Sequence, residues 1–486
     1  MRLSELFREV EFDGSIKNDA DINLVTDDSR LVRPGSLFVC IRHRSFDGHT
    51  AALDALASGA TAVVTQDRLG LENELRVADS RSAYARLCAA LCNHPERKLR
   101  MIGVTGTNGK TTVTTLIRNI LSDSGTKTLL TGTVCNRLGD ENLPSGLTTP
   151  KPPELYSLLS RAVSQRCKAC VMEASSQALA QGRLEGIDFD AAVFTNITRD
   201  HLDYHGTFEN YISAKKKLFE HSALSIVNLD DPRAGEIIAA SKGKIITFST
   251  VLDCADYTAK NISLLSDCVH FELVSKGHIE HIEFASPGLF SVSNAMAAAV
   301  CAINLGIEPK DAAQSLAKSK SVCGRLERVE CLAPYSVIID YAHTPDGLEQ
   351  VLRALRPSCR GKLIVLFGCG GDRDRTKRPL MGAAACKYAD KIIVTSDNPR
   401  SEDPIKIIGD ILKGTDKKRR NLFVEPDRRK AIALALKTAE PGDTVLLAGK
   451  GHEKYQLIGG EKLPLDERET VRKILGLPHD TGRKKQ

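Results

Sequence analysis

Gly103-Val-Thr-Gly-Thr-Asn-Gly-Lys-Thr-Thr112 decides the fold. Met101-Ile-Gly-Val104 leads into it as a short apolar strand. Beyond it, Val113, Leu116, Ile117, Ile120 and Leu121 fall at helical spacing, and Gly125 is placed to end that helix. A strand, a glycine-rich turn and a helix that opens on Lys and Thr make a phosphate loop. Its successive N–H groups and the helix dipole form an anion site. Lys110 is expected to reach the β- and γ-phosphates of a nucleotide, and the Thr111 hydroxyl to bind Mg²⁺. Gly106, Thr107, Asn108, Gly109 and Thr112 complete the nucleotide-contacting stretch. Val104 stands where the strict GxxxxGK[ST] spacing wants its first glycine, so Gly103 or Gly106 must make the turn. The plainer alternative is a strand–helix turn that binds nothing; Lys110 and Thr111 speak against it.

Working outward, buried-strand candidates recur at Ala169-Cys-Val-Met172, Ala191-Ala-Val-Phe194, Ser225-Ile-Val227 and Ile245-Ile-Thr-Phe248, with helical patterns between most of them. That alternation predicts a parallel sheet with right-handed crossovers. Residues 258–285 alternate instead, as in Val269-His-Phe-Glu-Leu-Val274, and predict antiparallel hairpin strands added to the same sheet. Before residue 98 lies a smaller α/β pattern, with strands at Leu37–Ile41 and Thr61–Val64 and a helix over Thr50–Ser58. After residue 332 another begins, with strands at Val337–Ile339, Leu363–Phe367, Ile392–Val394 and Val445–Leu447; Leu348, Val351, Leu352 and Leu355 line one helix face. The expected class is α/β in three domains: 1–98, 99–331 and 332–486.

Composition bounds the partners. The 486 residues exceed one ordinary domain of roughly 100–200 residues. The formal charge of +6 is thin for a dedicated nucleic-acid binder and compatible with a phosphorylated small substrate. The longest apolar run, Ala295–Ile303, falls short of the about 20 residues that a membrane span needs, and the charged N-terminus has no signal-peptide core. No membrane insertion and no nucleic acid are expected. The fourteen cysteines have no repeating spacing; Cys167-Lys-Ala-Cys170 lacks the second pair of a zinc ribbon and runs into a strand, so it reads as core. A reduced, cytoplasmic setting and a monomer are expected.

The loop and a series of further motifs resemble the Mur ligases, ATP-dependent amide-forming enzymes of peptidoglycan precursor synthesis. These are Thr148-Thr-Pro150, Glu173-Ala-Ser-Ser176, Asn196–Gly206, Tyr211-Ile-Ser-Ala-Lys215, Gly324-Arg325, Asp340-Tyr-Ala-His-Thr-Pro345, Gly368–Asp374, Asp397-Asn-Pro-Arg400 and Ala448-Gly-Lys-Gly-His-Glu453. In order, they resemble the branch that adds the third residue to UDP-N-acetylmuramoyl-L-alanyl-D-glutamate. The resemblance implies a UDP-sugar domain, a central ATPase and a Rossmann-like C-terminal domain that receives the amino acid. It implies ATP and Mg²⁺ as co-substrate and cofactor, and an acyl-phosphate intermediate.

Residue by residue, the resemblance makes Lys110, Glu173, His201 and Lys215 catalytic. Thr111, Glu173, His201 and Lys215 would be metal ligands, with Lys215 carbamylated. Glu173 and His201 also follow buried strands, at the edge where open α/β sheets bind ligands; alone, they would pass for a capping acid and a loop histidine. Lys215 alone would pass for a solvated helix face. Asn294 is implied at adenine, and Arg325 and Asp340 at phosphate and ribose, although Asp340 also reads as a helix N-cap. Ser29, His43, Arg44 and Ser45 are implied at uridine and diphosphate, and Thr148, Thr149, Ser175, Gln181 and Arg183 at the muramoyl-dipeptide. Leu147 stands where some relatives carry Asn.

Asp397, Asn398, Pro399 and Arg400 resemble the version that takes meso-2,6-diaminopimelate. Arg400 suits its distal carboxylate, which lysine lacks, since an unpaired guanidinium costs affinity. Arg373 is expected at a carboxylate, Glu453 at the distal ammonium, and Gly449 where backbone approaches closely. The competing readings are a lysine-adding or folylpolyglutamate-type ligase, and a non-catalytic nucleotide-binding module.

Overall fold

The computed structural model describes residues 1–43, 46–416 and 420–478. Arg44 and Ser45, both expected at the UDP-sugar, lie outside the described residues, as do residues 479–486.

Three sheets follow one another along the chain. The first has four parallel strands in sequence order, Leu24–Thr26, Ser36–Val39, Ala60–Thr65 and Glu74–Arg76. The second has eleven. Its parallel interior runs Tyr257–Leu264, Lys244–Ser249, Leu224–Asn228, Ala191–Phe194, Arg100–Thr105, Ala169–Glu173 and Thr128–Thr131. Antiparallel strands extend both edges: Val269–Ser275 and His278–Phe284 on one side, Asn136–Leu138 and Glu141–Leu143 on the other. The third sheet has six strands, in the order Glu327–Arg328, Ser336–Asp340, Thr444–Ala448, Leu363–Phe367, Lys391–Val394 and Leu422–Val424; all but the first pair in parallel. A separate hairpin joins Tyr455–Ile458 to Glu461–Pro464.

The α/β class is as expected, and the predicted strands lie within a residue or two of those observed. The hairpins over 258–285 join the central sheet, with one refinement: the first of their strands pairs in parallel with Lys244–Ser249. The apolar run Ala295–Ile303 belongs to a helix, Leu289–Asn304, buried on nearly every side. A helix apolar all round must be covered all round. The strands of the antiparallel extension supply that cover through Val269, Phe271, Leu273, Ile282 and Phe284, which share its core. The helix Lys110–Asp123 packs on it from the phosphate-loop side.

Among the described residues no helix is long and apolar enough to cross a membrane. All fourteen cysteines are free thiols. Cys167 and Cys170 are buried at a strand entrance, as a core reading requires.

A phosphate-loop cavity and a second polar cluster

The loop is shaped by two glycines, and Gly106 makes the turn. Gly103 stays inside the strand, where a side chain would collide with Leu218 and Phe189. Gly106 adopts φ +154, and a Cβ there would sit 1.9 Å from Thr195 Oγ1. Gly109, at φ +87, caps the helix that starts at Lys110. Both conformations favour glycine. Thr195 Oγ1 ties the loop down by donating to the Asn108 carbonyl at 2.6 Å.

A cavity of about 430 Å³ opens over this loop. It gathers Gly106 to Thr112, Thr148, Glu173, Ser175, His201, Lys215, Asn294, Arg325 and Asp340. Glu173 ends its strand and is buried. Its carboxylate accepts from Thr111 Oγ1 at 3.0 Å, from the Thr133 amide at 2.8 Å and from Thr133 Oγ1 at 3.0 Å. It caps no helix; Ser175 caps the next one. Arg325 crosses from the far wall and donates to Thr111 Oγ1 at 3.1 Å. Asn108 Nδ2 reaches the same wall, donating to Asp346 Oδ2 at 3.0 Å.

Two lysines share this space. Lys110 Nζ folds back onto the carbonyls of Gly106 and Thr107, at 2.8 and 2.9 Å. Lys215 Nζ is buried, bonded to the Gly106 carbonyl at 2.8 Å and placed 4.7 Å from the Tyr211 ring centre. Burial, and then the charge of Lys110, push the Lys215 amine well below the ordinary lysine range; Asp200 opposes them. Lys110 is lowered too, first by burial, with Arg325 adding to it and Glu173 and Asp200 opposing.

His201 takes a left-handed backbone, φ +54, at the start of the helix Leu202–His205. Its Nε2 lies 3.4 Å from Asp200 Oδ2. Burial lowers its basicity, Lys110 and Lys215 lower it further, and Asp200 works the other way. Asp200 itself is held down to about 2: burial would raise it, but His201, His343 and Lys377 outweigh burial.

Asp340 is not a helix N-cap; Thr344 caps the helix that follows. The buried Asp340 carboxylate instead accepts the amides of Leu326 and Ala342, both at 2.7 Å. Those bonds fix the strand end beside Arg325. Burial raises its pKa against the pull of Arg325 and the two amides.

Beyond the cavity, Thr149 joins its edge, donating to the Glu173 carbonyl at 2.6 Å, with Ser175 Oγ 3.1 Å from the same hydroxyl. Arg183 follows, donating to the Thr149 carbonyl at 2.8 Å and gripping Gln181 Oε1 at 2.8 and 2.6 Å. Ser29 opens a short 3₁₀ turn capped by Asp28. His43 Nε2 lies 3.5 Å from Asp27 Oδ2, and Lys151 Nζ, from the central sheet's side, 3.6 Å from the same atom. Lys151 went unread in the sequence; a charged residue just ahead of a helix gives no signal of its own.

Arg373, Asp397, Asn398, Pro399, Arg400, Gly449 and Glu453 do not line the phosphate-loop cavity. Most of them share a second cluster in the third sheet. Asn398 Nδ2 donates to Glu453 Oε2 at 3.0 Å. Arg400, at φ +53, donates through Nη1 to the Gly371 carbonyl at 2.6 Å. Burial and the neighbouring Arg373 lower the Arg400 guanidinium, while Asp397, Glu453 and Asp372 act to raise it, so these groups sit within one another's fields. Gly449 has φ +111, and a Cβ there would come 2.6 Å from Asp397 Oδ2. Asp397 is buried and still held low: burial would raise it, and Lys450, Arg428 and the Asn398 amide prevail.

The chain matches three family models: "Mur ligase family, catalytic domain" over residues 21–90, "Mur ligase middle domain" over 104–302, and "Mur ligase, glutamate ligase domain" over 324–451. It is 43% identical, over 98% of its length and 99% of the relative's, to a protein of Caldanaerobacter subterraneus subsp. tengcongensis named UDP-N-acetylmuramoyl-L-alanyl-D-glutamate--2,6-diaminopimelate ligase. It is 42% identical, again over 98% and 99%, to one of the same name from Syntrophomonas wolfei. A solved structure described by that name superposes with a TM-score of 0.71 at 35% identity, over 98% of this chain and 99% of that one.

Proposed function

The chain belongs to the Mur ligase family, and from that premise we propose that it joins meso-2,6-diaminopimelate to UDP-N-acetylmuramoyl-L-alanyl-D-glutamate at the expense of ATP. The observation that carries the reading is likeness to relatives of that name along nearly the whole chain. With it goes a phosphate loop facing a wall that carries Arg325 and Asp340.

Joining a carboxylate to an amine in water requires an activated carboxylate. The γ-carboxylate of D-glutamate takes the γ-phosphoryl group of ATP, giving an acyl phosphate and ADP. The amine then attacks the acyl carbon, phosphate leaves, and a proton is released. Phosphoryl transfer depends on alignment and charge neutralisation. The loop amides from Thr107 to Thr112 would cradle the phosphates. Lys110, now on its own loop carbonyls, would turn to the β- and γ-phosphates, with Arg325 supporting the charge from the opposite wall. Asn294 would hold adenine, and Asp340 the ribose side.

Three of the four donors, a hydroxyl, a carboxylate and a carbamate, would offer Mg²⁺ the oxygen ligands that a hard ion takes. A buried carboxylate, Glu173, meets the Thr111 hydroxyl at 3.0 Å, and burial, with Lys110 and Lys215, biases His201 toward the neutral form that a ligand needs, against Asp200. A Lys215 ammonium would repel the ion; its carbamate would hold it. We propose Thr111, Glu173, His201 and carbamylated Lys215 as the residues that hold Mg²⁺, which when bound would neutralise phosphate charge. Ser29, His43, Thr148, Thr149, Ser175, Gln181 and Arg183 would hold the UDP-sugar dipeptide. Arg373, Asp397 to Arg400, Gly449 and Glu453 would hold the amino acid. ATP and nucleotide sugars are cytoplasmic metabolites, and the cytoplasm is the compartment proposed.

The test is phosphate release by the purified chain with ATP, Mg²⁺ and the UDP-sugar dipeptide, run over a panel of amino acids. Release that needs both the dipeptide and meso-diaminopimelate is expected. Release with neither, or better use of lysine, would overturn the reading.

A further inference from the structure

Lys450 sits inside the motif Ala448–Glu453, between two glycines, and has no part in the mechanism above. Gly449 and Gly451 take φ +111 and +53. These left-handed bends turn the chain back on itself, with the side chain between them directed inward. Its ammonium is 0% exposed. It donates to Asn398 Oδ1 at 2.7 Å and to Glu453 Oε2 at 2.7 Å, and lies 5.4 Å from the Tyr455 ring centre. Asn398 Oδ1 also accepts the Leu457 amide at 2.9 Å. With two donors on its oxygen, the Asn398 amide has one orientation left, and its Nδ2 goes to Glu453.

Removing the ammonium would therefore release two side chains at once. It would also change the local charge. Arg373, Arg400, Arg428 and Lys450 stand against Asp372, Asp397 and Glu453, an excess of one positive charge among these seven. Without Lys450 they sum to zero, and Glu453, a partly buried carboxylate with 15% of its side chain exposed, loses its ion pair, which costs less if a new cation arrives.

We propose that Lys450 is a positioning residue that sets which amino acid the third unit accepts. It orients Asn398 and part-neutralises Glu453. The pocket is thereby tuned to a far end that carries both an ammonium and a carboxylate, and against one that carries an ammonium alone. The inference rests on the reading of Asn398, Arg400 and Glu453 as the amino-acid site.

The test uses full-length Lys450→Met, which keeps length and loses charge, with Lys450→Gln as the second variant should the first not fold. The kinetic constants for meso-diaminopimelate, L-lysine, ATP and the UDP-sugar dipeptide are measured against wild type. The KM for diaminopimelate is expected to rise about ten-fold or more, as for a buried polar site left part-unpaired. The KM values for ATP and the dipeptide should stay put, and the ratio of kcat/KM for lysine over diaminopimelate should climb several-fold. An unchanged ratio would overturn the proposal, whether activity is kept or lost equally with both amino acids. A wild-type chain that uses neither amino acid would instead sink the parent reading, whatever the variants do.

Discussion

Lys110 and Lys215 donate to one acceptor: each ammonium lies 2.8 Å from the Gly106 carbonyl. Burial first, and then the charge of Lys110, drive the Lys215 amine toward its neutral form, against the pull of Asp200. A neutral amine has the lone pair that attacks carbon dioxide, forming the carbamate and releasing a proton. On the proposed reading, that step would convert one of the two cations into an anion.

Lys215→Ala should therefore lose activity on the order of a hundred-fold or more, by analogy with lost metal-site support. A small carboxylic acid added to the assay should restore part of it, by standing in for the missing carbamate. Full activity in the variant would remove Lys215 from the mechanism.

Glu173 is held by Thr111 and by both the amide and hydroxyl of Thr133. Glu173→Gln keeps the shape and removes the charge. The Mg²⁺ concentration giving half-maximal rate should rise by about ten-fold or more. A Mg²⁺ titration that overlays on wild type would count against Glu173 as a ligand.

Arg400 has one guanidinium nitrogen committed to Gly371, so the direction of its fork is set before any substrate arrives. Arg400→Ala should lower kcat/KM for diaminopimelate on the order of a hundred-fold, the usual cost of an unmet charged contact. The lysine value should fall much less. Equal falls would mean that Arg400 reads no carboxylate.

His452 lies against Tyr341, with ring centres 5.1 Å apart. Burial, then Arg325, Arg468 and Lys450, push its imidazole from 6.5 down to about 4. Between those values the unfolded chain binds a proton that the folded chain refuses. Its contribution is complete above about pH 6.5 and is lost as pH falls toward 4. Over that window wild type should lose on the order of 2–3 kcal/mol more stability than His452→Gln. Denaturation curves at several pH values decide it; parallel losses would mean that His452 titrates normally.

What the sequence made legible was what repeats locally. The loop at 103–112, the helix after it and the buried strands follow from apolar spacing, while Glu173 and His201, which alone would pass for a capping acid and a loop histidine, stand out only through the family resemblance. The short edge strands at Asn136–Leu138, Glu141–Leu143 and Leu422–Val424 were missed. The first two carry no continuous apolar run and the third is only the three residues Leu422-Phe-Val424, so pairing with a neighbour defines them more than their own residues do. Asp340 was readable as an acid at a strand end, but its two amide partners are fourteen and two residues away along the chain, and spacing cannot announce such a bond. Lys450 and Thr133 were overlooked for the same reason: each acts through a residue remote in sequence.

The alanine-rich helix Leu289–Asn304 is roofed by the antiparallel strands over residues 257–284, and it carries Asn294 to the cavity. The roof looks dispensable, an appendage at one edge of a parallel sheet. Deleting it would strip the cover from an almost wholly apolar cylinder and leave a surface that other chains would seize. The central unit therefore has no smaller working version. A minimal nucleotide-binding unit with residues 257–284 excised and the helix retained would be an aggregate before it was an enzyme.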